Sequence, residues 1–320
     1  MTELNEPAAR AHSGERAPAA ASASVASSAT AAATASAAPS PATPAPLSKL
    51  PAGKLDARII ALDLDDTLLN RDLHITPYTV AALQECARRG IYVVLCSGRA
   101  ENAILPYVRQ LQIAGTEAGR YIIAMNGATI YDMHLRKQIY ARTVSGDILQ
   151  QTFRMAQKHD LPCQVYDAST IYPSRDNEWT RVDVRLSGLN MQVVDDFAAF
   201  IACGHSKMVI PGDPDKVAVL QEKLKAAFGD KAIVFTSKPY FLEVLPPACD
   251  KGIALLELAS RLSIPQEHTM GFGDSMNDES MLLRAAHSVA MCNGLPYIQQ
   301  IARYVTRCDN NHDGVGDFLR

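Results

Sequence analysis

The sequence lacks several features that mark particular classes of protein. Its net charge is only -3, without the basic footprint that nucleic-acid-binding proteins carry. No apolar run approaches the roughly 20 residues that a membrane helix needs. The cysteines number seven, are widely spread and contain no Cys-x-x-Cys pair, which indicates neither a disulfide framework nor a zinc site. We therefore predict a cytoplasmic protein that binds neither nucleic acid nor membranes.

The N-terminal part has few of the large apolar side chains that a core requires. Between Pro18 and Leu47 the only sizeable apolar side chain is Val25, and Ala, Ser, Pro and Thr dominate. We predict that residues 1–54 form a disordered tail. The basic start and Leu-rich core of a secretory signal are missing, and three early glutamates argue against a transit peptide. A flexible tether to a partner is an alternative role for this tail.

Beyond the tail, short apolar runs without helical periodicity predict buried strands. These runs start at Ile59, Ile91, Tyr121 and His268. Because helical segments separate them, they predict a parallel sheet with right-handed crossovers. The order of predicted elements changes over residues 140–242, where helical patterns alternate with short strands. We predict an α/β fold with a core over residues 55–139 and 243–320 and an inserted α+β unit between them.

The stretch from Ile59 to Leu69 leads an apolar strand directly onto carboxylates. Asp63 and Asp65 follow the strand at its carboxyl end, where open α/β sheets bind their ligands. Like charges this close repel each other, and a divalent cation with oxygen ligands is a natural compensation. The simpler interpretation is an acidic turn after a strand. An EF-hand loop is disfavoured, because its Gly at position six and Glu at position twelve are missing.

Further polar residues follow other predicted strands or begin a helix. Ser97 follows the second strand, Lys251 begins a later helix, and Asp274 and Asp278 follow the strand that starts at His268. Each has an ordinary explanation alone: a helix N-cap, a surface lysine, or a strand-to-helix turn. Their order along a βα chain is more specific than any single member, because the carboxyl ends of parallel strands meet at one edge of a sheet.

Five motifs together resemble those of the haloacid dehalogenase (HAD) superfamily, and within it the Cof-type phosphatases with a type IIB cap. They are Asp63-Leu-Asp65-Asp66-Thr-Leu-Leu, Ser97-Gly98-Arg99, Asn126-Gly127-Ala128, Asp250-Lys251-Gly252 and Gly273-Asp274-Ser-Met-Asn277-Asp278. The resemblance covers about residues 56–320. It implies a HAD-like Rossmannoid parallel-sheet core with an inserted α+β cap. Asp66 stands where the family more commonly has Gly, and Ser97 where it has Thr.

The resemblance also implies a phosphoaspartyl mechanism. Asp63 would attack phosphorus, and water would then cleave the acyl-phosphate, which splits one difficult displacement into two easier ones. Asp65 would protonate the leaving alkoxide and later activate the water. The residues implied in binding the phosphoryl group are Ser97, Gly98, Asn126, Lys251 and Asn277.

A magnesium ion is the cofactor that the resemblance implies. Mg²⁺ would be held by the carboxylates of Asp63 and Asp274 and by the backbone carbonyl of Asp65. Asp278 and Asn277 would order the waters of the metal or hold Lys251. Without a cation, an anionic carboxylate could hardly approach an anionic phosphate.

These observations predict a Mg²⁺-dependent phosphatase whose partner is a small phosphorylated metabolite, with sugar phosphates as the first choice of substrate. Two alternatives stay open: a phosphohexomutase, and a non-catalytic module that binds or senses a phosphometabolite. Cys96 beside Ser97 invites a thiol nucleophile, but the sequence supplies no neighbouring His as its base.

The inserted unit would close over the site and select the substrate. Its polar and aromatic residues could contact a leaving group, although ordinary surface and packing roles are the simpler interpretation. These residues are Tyr172, Arg175, Trp179 and Arg181, with Arg185 and Lys207 no better determined.

Overall fold

The computed structural model of the protein describes residues 49–320, so nearly all of the predicted disordered tail lies outside the described residues. Within them, the chain forms two sheets with helices packed around them. The strands are β1 (Ile59–Leu62), β2 (Tyr92–Cys96), β3 (Tyr121–Ala124), β4 (Thr129–Asp132), β5 (Lys137–Ala141), β6 (Gln164–Tyr166), β7 (Thr170–Pro173), β8 (Asn190–Met191), β9 (Met208–Pro211), β10 (Ile233–Lys238), β11 (Phe241–Leu245), β12 (Thr269–Gly273), β13 (His287–Ala290) and β14 (Tyr304–Val305). The α-helices are α1 (Pro77–Arg88), α2 (Glu101–Leu111), α3 (Gly146–Gln157), α4 (Glu178–Ser187), α5 (Phe197–Phe200), α6 (Pro214–Phe228), α7 (Lys251–Arg261), α8 (Glu279–Arg284), α9 (Pro296–Ile301) and α10 (Gly314–Leu319).

The larger sheet has the order β14-β13-β12-β1-β2-β3-β4-β5. The six strands from β14 to β3 are parallel, and β4 and β5 add antiparallel pairs at one edge. The predicted parallel sheet is thus confirmed, and β4 and β5 form a hairpin at its edge. Every residue of β1 is buried, as expected for a central strand with both faces covered.

The register of the central strands decides where the polar residues meet. Leu62 at the end of β1 pairs with Phe272 of β12 on one side and with Leu95 of β2 on the other. The segments that follow these three strands therefore leave the sheet at the same edge. Motifs that are far apart in the sequence therefore lie close together at that edge.

The smaller sheet has the order β10-β11-β9-β6-β7-β8 and is mostly antiparallel. Its own buried cluster includes Val165, Leu220 and Leu242. The boundaries predicted for the inserted unit, at 140 and 242, fall inside β5 and β11. The correction arises because alternation along a chain locates a strand without showing which sheet it joins.

Helix α4 was not predicted from the sequence. It starts with a capping box in which Asn177 accepts backbone hydrogen bonds from Trp179 and Thr180, and it ends at Gly188 with a positive φ of 68°. Thr180 is its single fully buried residue. Four of its ten residues are charged, Glu178, Arg181, Asp183 and Arg185, so the segment is polar overall and does not stand out as an apolar helix.

Candidate active site

Asp63 and Asp65 follow β1 in a sharply bent segment. The backbone N–H of Asp63 donates to the carbonyl of Phe272 at 3.1 Å, which extends the parallel ladder by one residue. Asp65 is extended, and Asp66 then takes a positive φ of 60°. Aspartate tolerates this left-handed conformation better than most residues, although glycine adopts it without strain. The bend leaves Asp63 buried and Asp65 exposed.

Three carboxylates converge at the edge of the sheet. Asp63, Asp274 and Asp278 are all buried, and one oxygen from each lies within 4.8 Å of the others. Burial, followed by repulsion from Asp278, raises the pKa of Asp274 to about 7. Burial and the same neighbour also raise the pKa of Asp63 well above its usual range. The cluster therefore carries more negative charge than the protein groups around it neutralise.

Lys251 is the protein's own counter-charge in this cluster. It is fully buried at the start of α7, and its ammonium group forms ion pairs with Asp63 and, at 2.7 Å, with Asp278. Burial alone would lower the pKa of Lys251, but the carboxylates of Asp278 and Asp63 outweigh it and raise this pKa. The structure therefore rules out the simpler interpretation of Lys251 as an ordinary surface lysine.

Asp278 uses both of its oxygens to organise the neighbouring loop. One oxygen accepts from Lys251, and the other accepts from the backbone N–H groups of Asp274, at 3.0 Å, and Ser275, at 3.2 Å. Asp274 itself accepts a hydrogen bond from Thr67 at 3.0 Å. Asp274 is therefore oriented from two sides, and Asp278 serves to hold its neighbours.

Ser97 and Gly98 leave the end of β2 beside this cluster. Ser97 is buried, and its hydroxyl oxygen accepts the backbone N–H of Arg99 at 3.2 Å. A side chain at Gly98 would come within 2.8 Å of the side-chain oxygen of Asn126. Glycine at this position therefore lets the two loops approach without displacing the Asn126 side chain.

Asn126 and Asn277 join the loops that surround the carboxylates. Asn277 donates to Asn126 at 3.5 Å, and Asn126 donates to Glu243 of β11 at 3.4 Å. Lys207 donates to the same Glu243 carboxylate at 3.3 Å and to the carbonyl of Gly98 at 2.9 Å. A line of hydrogen bonds thus connects the smaller sheet with the loops that carry Ser97 and Asp274.

The structure brings Asp63, Lys251, Asp274 and Asp278 into one cluster and links Asn277 with Asn126. It also shows three contacts that the patterns did not identify. Thr67 contacts Asp274, Glu243 contacts Asn126, and Arg99 pairs with Asp65 through two nitrogens at 2.5 and 3.0 Å. Arg99 stands within a quoted motif, so its position was available from the sequence although its partner was not. Glu243 lies 117 residues from Asn126, a separation that no local pattern reports.

Three of the residues of the inserted unit considered for substrate contact are paired with aspartates of the same unit. Arg175 pairs with Asp160, Arg181 with Asp176, and Tyr172 donates to Asp167. These pairs favour the ordinary surface interpretation for all three. Trp179 lies beside the ring of Tyr240 at 6.0 Å.

Cys96 does not fit the role of a nucleophile. It is fully buried at the end of β2, and burial strongly raises the pKa of its thiol. A reactive cysteine needs the thiolate, which requires the opposite shift. The carboxylate cluster is the chemically competent feature at this edge.

The sequence matches the family described as haloacid dehalogenase-like hydrolase over residues 60–319. Among curated relatives, an HMP-PP phosphatase from Serratia proteamaculans is 31% identical over 253 residues, covering 76% of this chain and 87% of its own. A haloacid dehalogenase-like hydrolase structure from Bacteroides thetaiotaomicron has a TM-score of 0.76 and 28% identity, covering 82% of this chain and 98% of that one.

A structure described as a HAD subclass IIB sugar phosphatase shares the fold, with a TM-score of 0.69, 22% identity and coverage of 81% of this chain and 96% of that one. The chain therefore belongs to the haloacid dehalogenase-like hydrolases, and the predicted superfamily, fold class and hydrolase class are confirmed. Within residues 49–320, no helix is both long and apolar enough to cross a membrane.

Proposed function

We propose that the protein is a Mg²⁺-dependent phosphatase that hydrolyses small organic phosphate monoesters through an aspartyl-phosphate on Asp63. The observation that carries the proposal is the buried set of Asp63, Asp274 and Asp278 with Lys251 between two of them. The phosphatase names of its relatives support the same reaction class. Sugar phosphates are the first choice of substrate, because the subclass IIB protein that shares the fold is a sugar phosphatase.

The donor set suits a small divalent cation. Asp63 and Asp274 supply buried carboxylate oxygens, and the pKa values of both groups are raised by burial and then by the crowded negative charge of Asp278, which a cation would relieve. Their carboxylates and the backbone carbonyl of Asp65 would hold Mg²⁺, since oxygen is the ligand atom that it prefers. Bound Mg²⁺ would supply positive charge that lets an anionic nucleophile meet an anionic phosphoryl group.

Asp63 and Asp65 would carry out the two steps of the reaction. A carboxylate oxygen of Asp63 bonds to phosphorus while the ester P–O bond breaks, and the carboxyl group of Asp65 gives its proton to the departing alkoxide. Asp65 then takes a proton from water as the water oxygen bonds to phosphorus. The acyl-phosphate bond breaks, which returns the Asp63 carboxylate and releases phosphate.

The remaining polar groups would bind the transferring phosphoryl oxygens. Lys251 brings a buried positive charge at the N-terminal end of α7, where the helix dipole adds to it. Ser97, Gly98, Asn126 and Asn277 line the adjacent loops and offer a hydroxyl, a backbone N–H and two amides. The unit built on the smaller sheet would cover the site and restrict the leaving groups that fit.

The test is phosphate release from sugar phosphates, nucleotides, flavin phosphates, pyridoxal phosphate and HMP-PP, with and without Mg²⁺. We expect metal-dependent release by the wild type and none by Asp63→Asn, which keeps the shape of the side chain but removes the nucleophile. Product analysis of a hexose phosphate would detect isomerisation without phosphate release, which indicates a mutase. Absence of release from every substrate, in a folded protein, would favour a binding module instead.

A further inference from the structure

The carboxylate of Asp65 is held by a two-point ion pair. Arg99 Nη2 donates to one oxygen at 2.5 Å, and Arg99 Nε donates to the other at 3.0 Å. A planar guanidinium that meets both oxygens fixes the orientation of a carboxylate as well as its charge. Among residues 49–320, Arg99 is the only side chain that hydrogen-bonds this carboxylate.

Without this contact, Asp65 has little to hold it. Its side chain is 50% exposed, and it stands on the bend in which Asp66 takes a positive φ. By contrast, Arg99 is 17% exposed, and its guanidinium lies 5.5 Å from the centre of the Tyr107 ring. Its backbone carbonyl accepts from Met125 at 3.0 Å, and its N–H donates to Ser97. The better-fixed residue of the pair is thus Arg99.

We propose that Arg99 is the positioning residue that aims the carboxyl group of Asp65 at the leaving-group oxygen and later at the attacking water. This inference rests on the proposed phosphatase function, in which Asp65 exchanges a proton with each of these groups. A positioned acid or base contributes about 10²- to 10⁴-fold to such a step.

The pairing is compatible with a proton on Asp65. A neutral carboxyl group still has acceptor capacity beside its O–H. One oxygen can carry the proton to the departing alkoxide while the other keeps its hydrogen bond from Arg99 Nε. After the transfer, the anionic carboxylate can accept from both guanidinium nitrogens again, which is the arrangement in the structure.

The test compares kcat/KM for a sugar phosphate with kcat/KM for p-nitrophenyl phosphate. An alkoxide is a poor leaving group that needs the proton, whereas p-nitrophenolate departs without one. We expect Arg99→Met to lower kcat/KM by about 10- to 100-fold for the sugar phosphate, as for a misaimed catalytic group, and much less for p-nitrophenyl phosphate. Asp65→Asn should show the same selectivity in a stronger form.

Two further variants complete the experiment. Arg99→Lys keeps the charge but loses the two-point fork, so we expect it to behave like Arg99→Met. Arg307→Met is the matched control, because Arg307 makes a similar fork with Asp317, at 3.0 and 2.6 Å, on an exposed surface. Arg307→Met should leave kcat/KM unchanged for both substrates.

An equal loss for both substrates would overturn the inference, because it would mean that Arg99 acts on the phosphoryl group or on the fold. Unchanged kcat/KM for both substrates would overturn it as well. Wild-type turnover that disappears in Asp63→Asn establishes the underlying phosphatase in the same assay. A folded wild type without turnover overturns the proposed function and this inference together.

Discussion

At the scale of single residues, the site is a balance of buried charges. Lys251 neutralises part of the repulsion among three carboxylates, and burial together with the remaining repulsion raises the pKa values of Asp63 and Asp274. Ion pairs in a protein interior are costly to break, because the partner left behind is a buried charge without compensation. The same imbalance would favour binding of a divalent cation. The charge state of Asp274 is therefore a direct probe of the site.

We predict that the metal-free protein loses stability as pH rises from about 4 to about 7. The pKa of Asp274 is about 7 in the folded protein and near 3.8 in its ordinary state, so between these values the folded state binds more protons. Stability then falls with increasing pH. The contribution is up to about 4 kcal/mol, because one pKa unit corresponds to about 1.4 kcal/mol.

Urea unfolding in a chelator, at pH 5 and pH 8, measures this dependence. Asp274→Asn should flatten the pH dependence of the free energy of unfolding, since it removes the titrating group while keeping its shape. Mg²⁺ should stabilise the wild type more at pH 8 than at pH 5, because it binds the ionised carboxylate. An identical pH dependence in Asp274→Asn and wild type would contradict this account.

At the scale of elements, the start of α7 sets the position of Lys251. Asp250 is the N-cap and accepts the backbone N–H of Ile253 at 2.6 Å. Gly127 has a positive φ of 91°, and a side chain there would come within 2.9 Å of the backbone nitrogen of Lys251. The helix start is thus fixed by a cap on one side and by close backbone packing on the other.

We predict that Asp250→Ala lowers both stability and activity. Loss of an N-cap costs about 1 kcal/mol, and displacement of Lys251 should reduce kcat/KM by about tenfold or more. Asp213→Ala is the matched control, because Asp213 caps α6, far along the chain in the smaller-sheet unit, by accepting from Asp215 and Lys216.

The control should lose a similar amount of stability, measured by urea unfolding, and retain its kcat/KM. Equal kcat/KM values in the two variants would show that the cap of α7 has no part in positioning Lys251.

The sequence predicted the elements that carry chemistry better than the elements that surround them. The apolar runs ending at Asp63 and Ser97 located β1 and β2, because central parallel strands are buried on both faces. The helix predicted to begin at Lys251 is α7, which Asp250 caps. Helix α4 escaped prediction because the segment is short and polar overall. The pairing of Arg99 with Asp65 also escaped prediction, because an ion pair between residues 34 positions apart leaves no periodic signal in the sequence.

At the scale of the whole molecule, the described chain begins with a segment that packs on the larger sheet. The backbone carbonyl of Lys49 accepts from Val305 at 3.0 Å, and Leu55 packs against the main core. Lys49, which falls inside the predicted tail of residues 1–54, is thus paired with β14, whereas the tail up to residue 48 lies outside the described residues.

We predict that deleting residues 1–48 leaves turnover and the melting temperature unchanged, whereas deleting residues 1–55 lowers the melting temperature. The longer deletion removes the pairing with Val305 and the packing of Leu55, and burial of a leucine side chain is worth about 1.5–3 kcal/mol when complete. Thermal unfolding and phosphate release measure the two effects. Loss of turnover on removing 1–48 would instead make the tail a working part of the enzyme.

The central claim is that Asp63 becomes phosphorylated during turnover. Its most direct test is a rapid acid quench of the wild type with its best substrate and Mg²⁺, followed by peptide mass spectrometry. We predict a phosphate group on the peptide that contains Asp63, labile to hydroxylamine as an acyl-phosphate is, and absent from Asp63→Asn. Release of phosphate without any modification of Asp63, at times shorter than one turnover, would contradict the account.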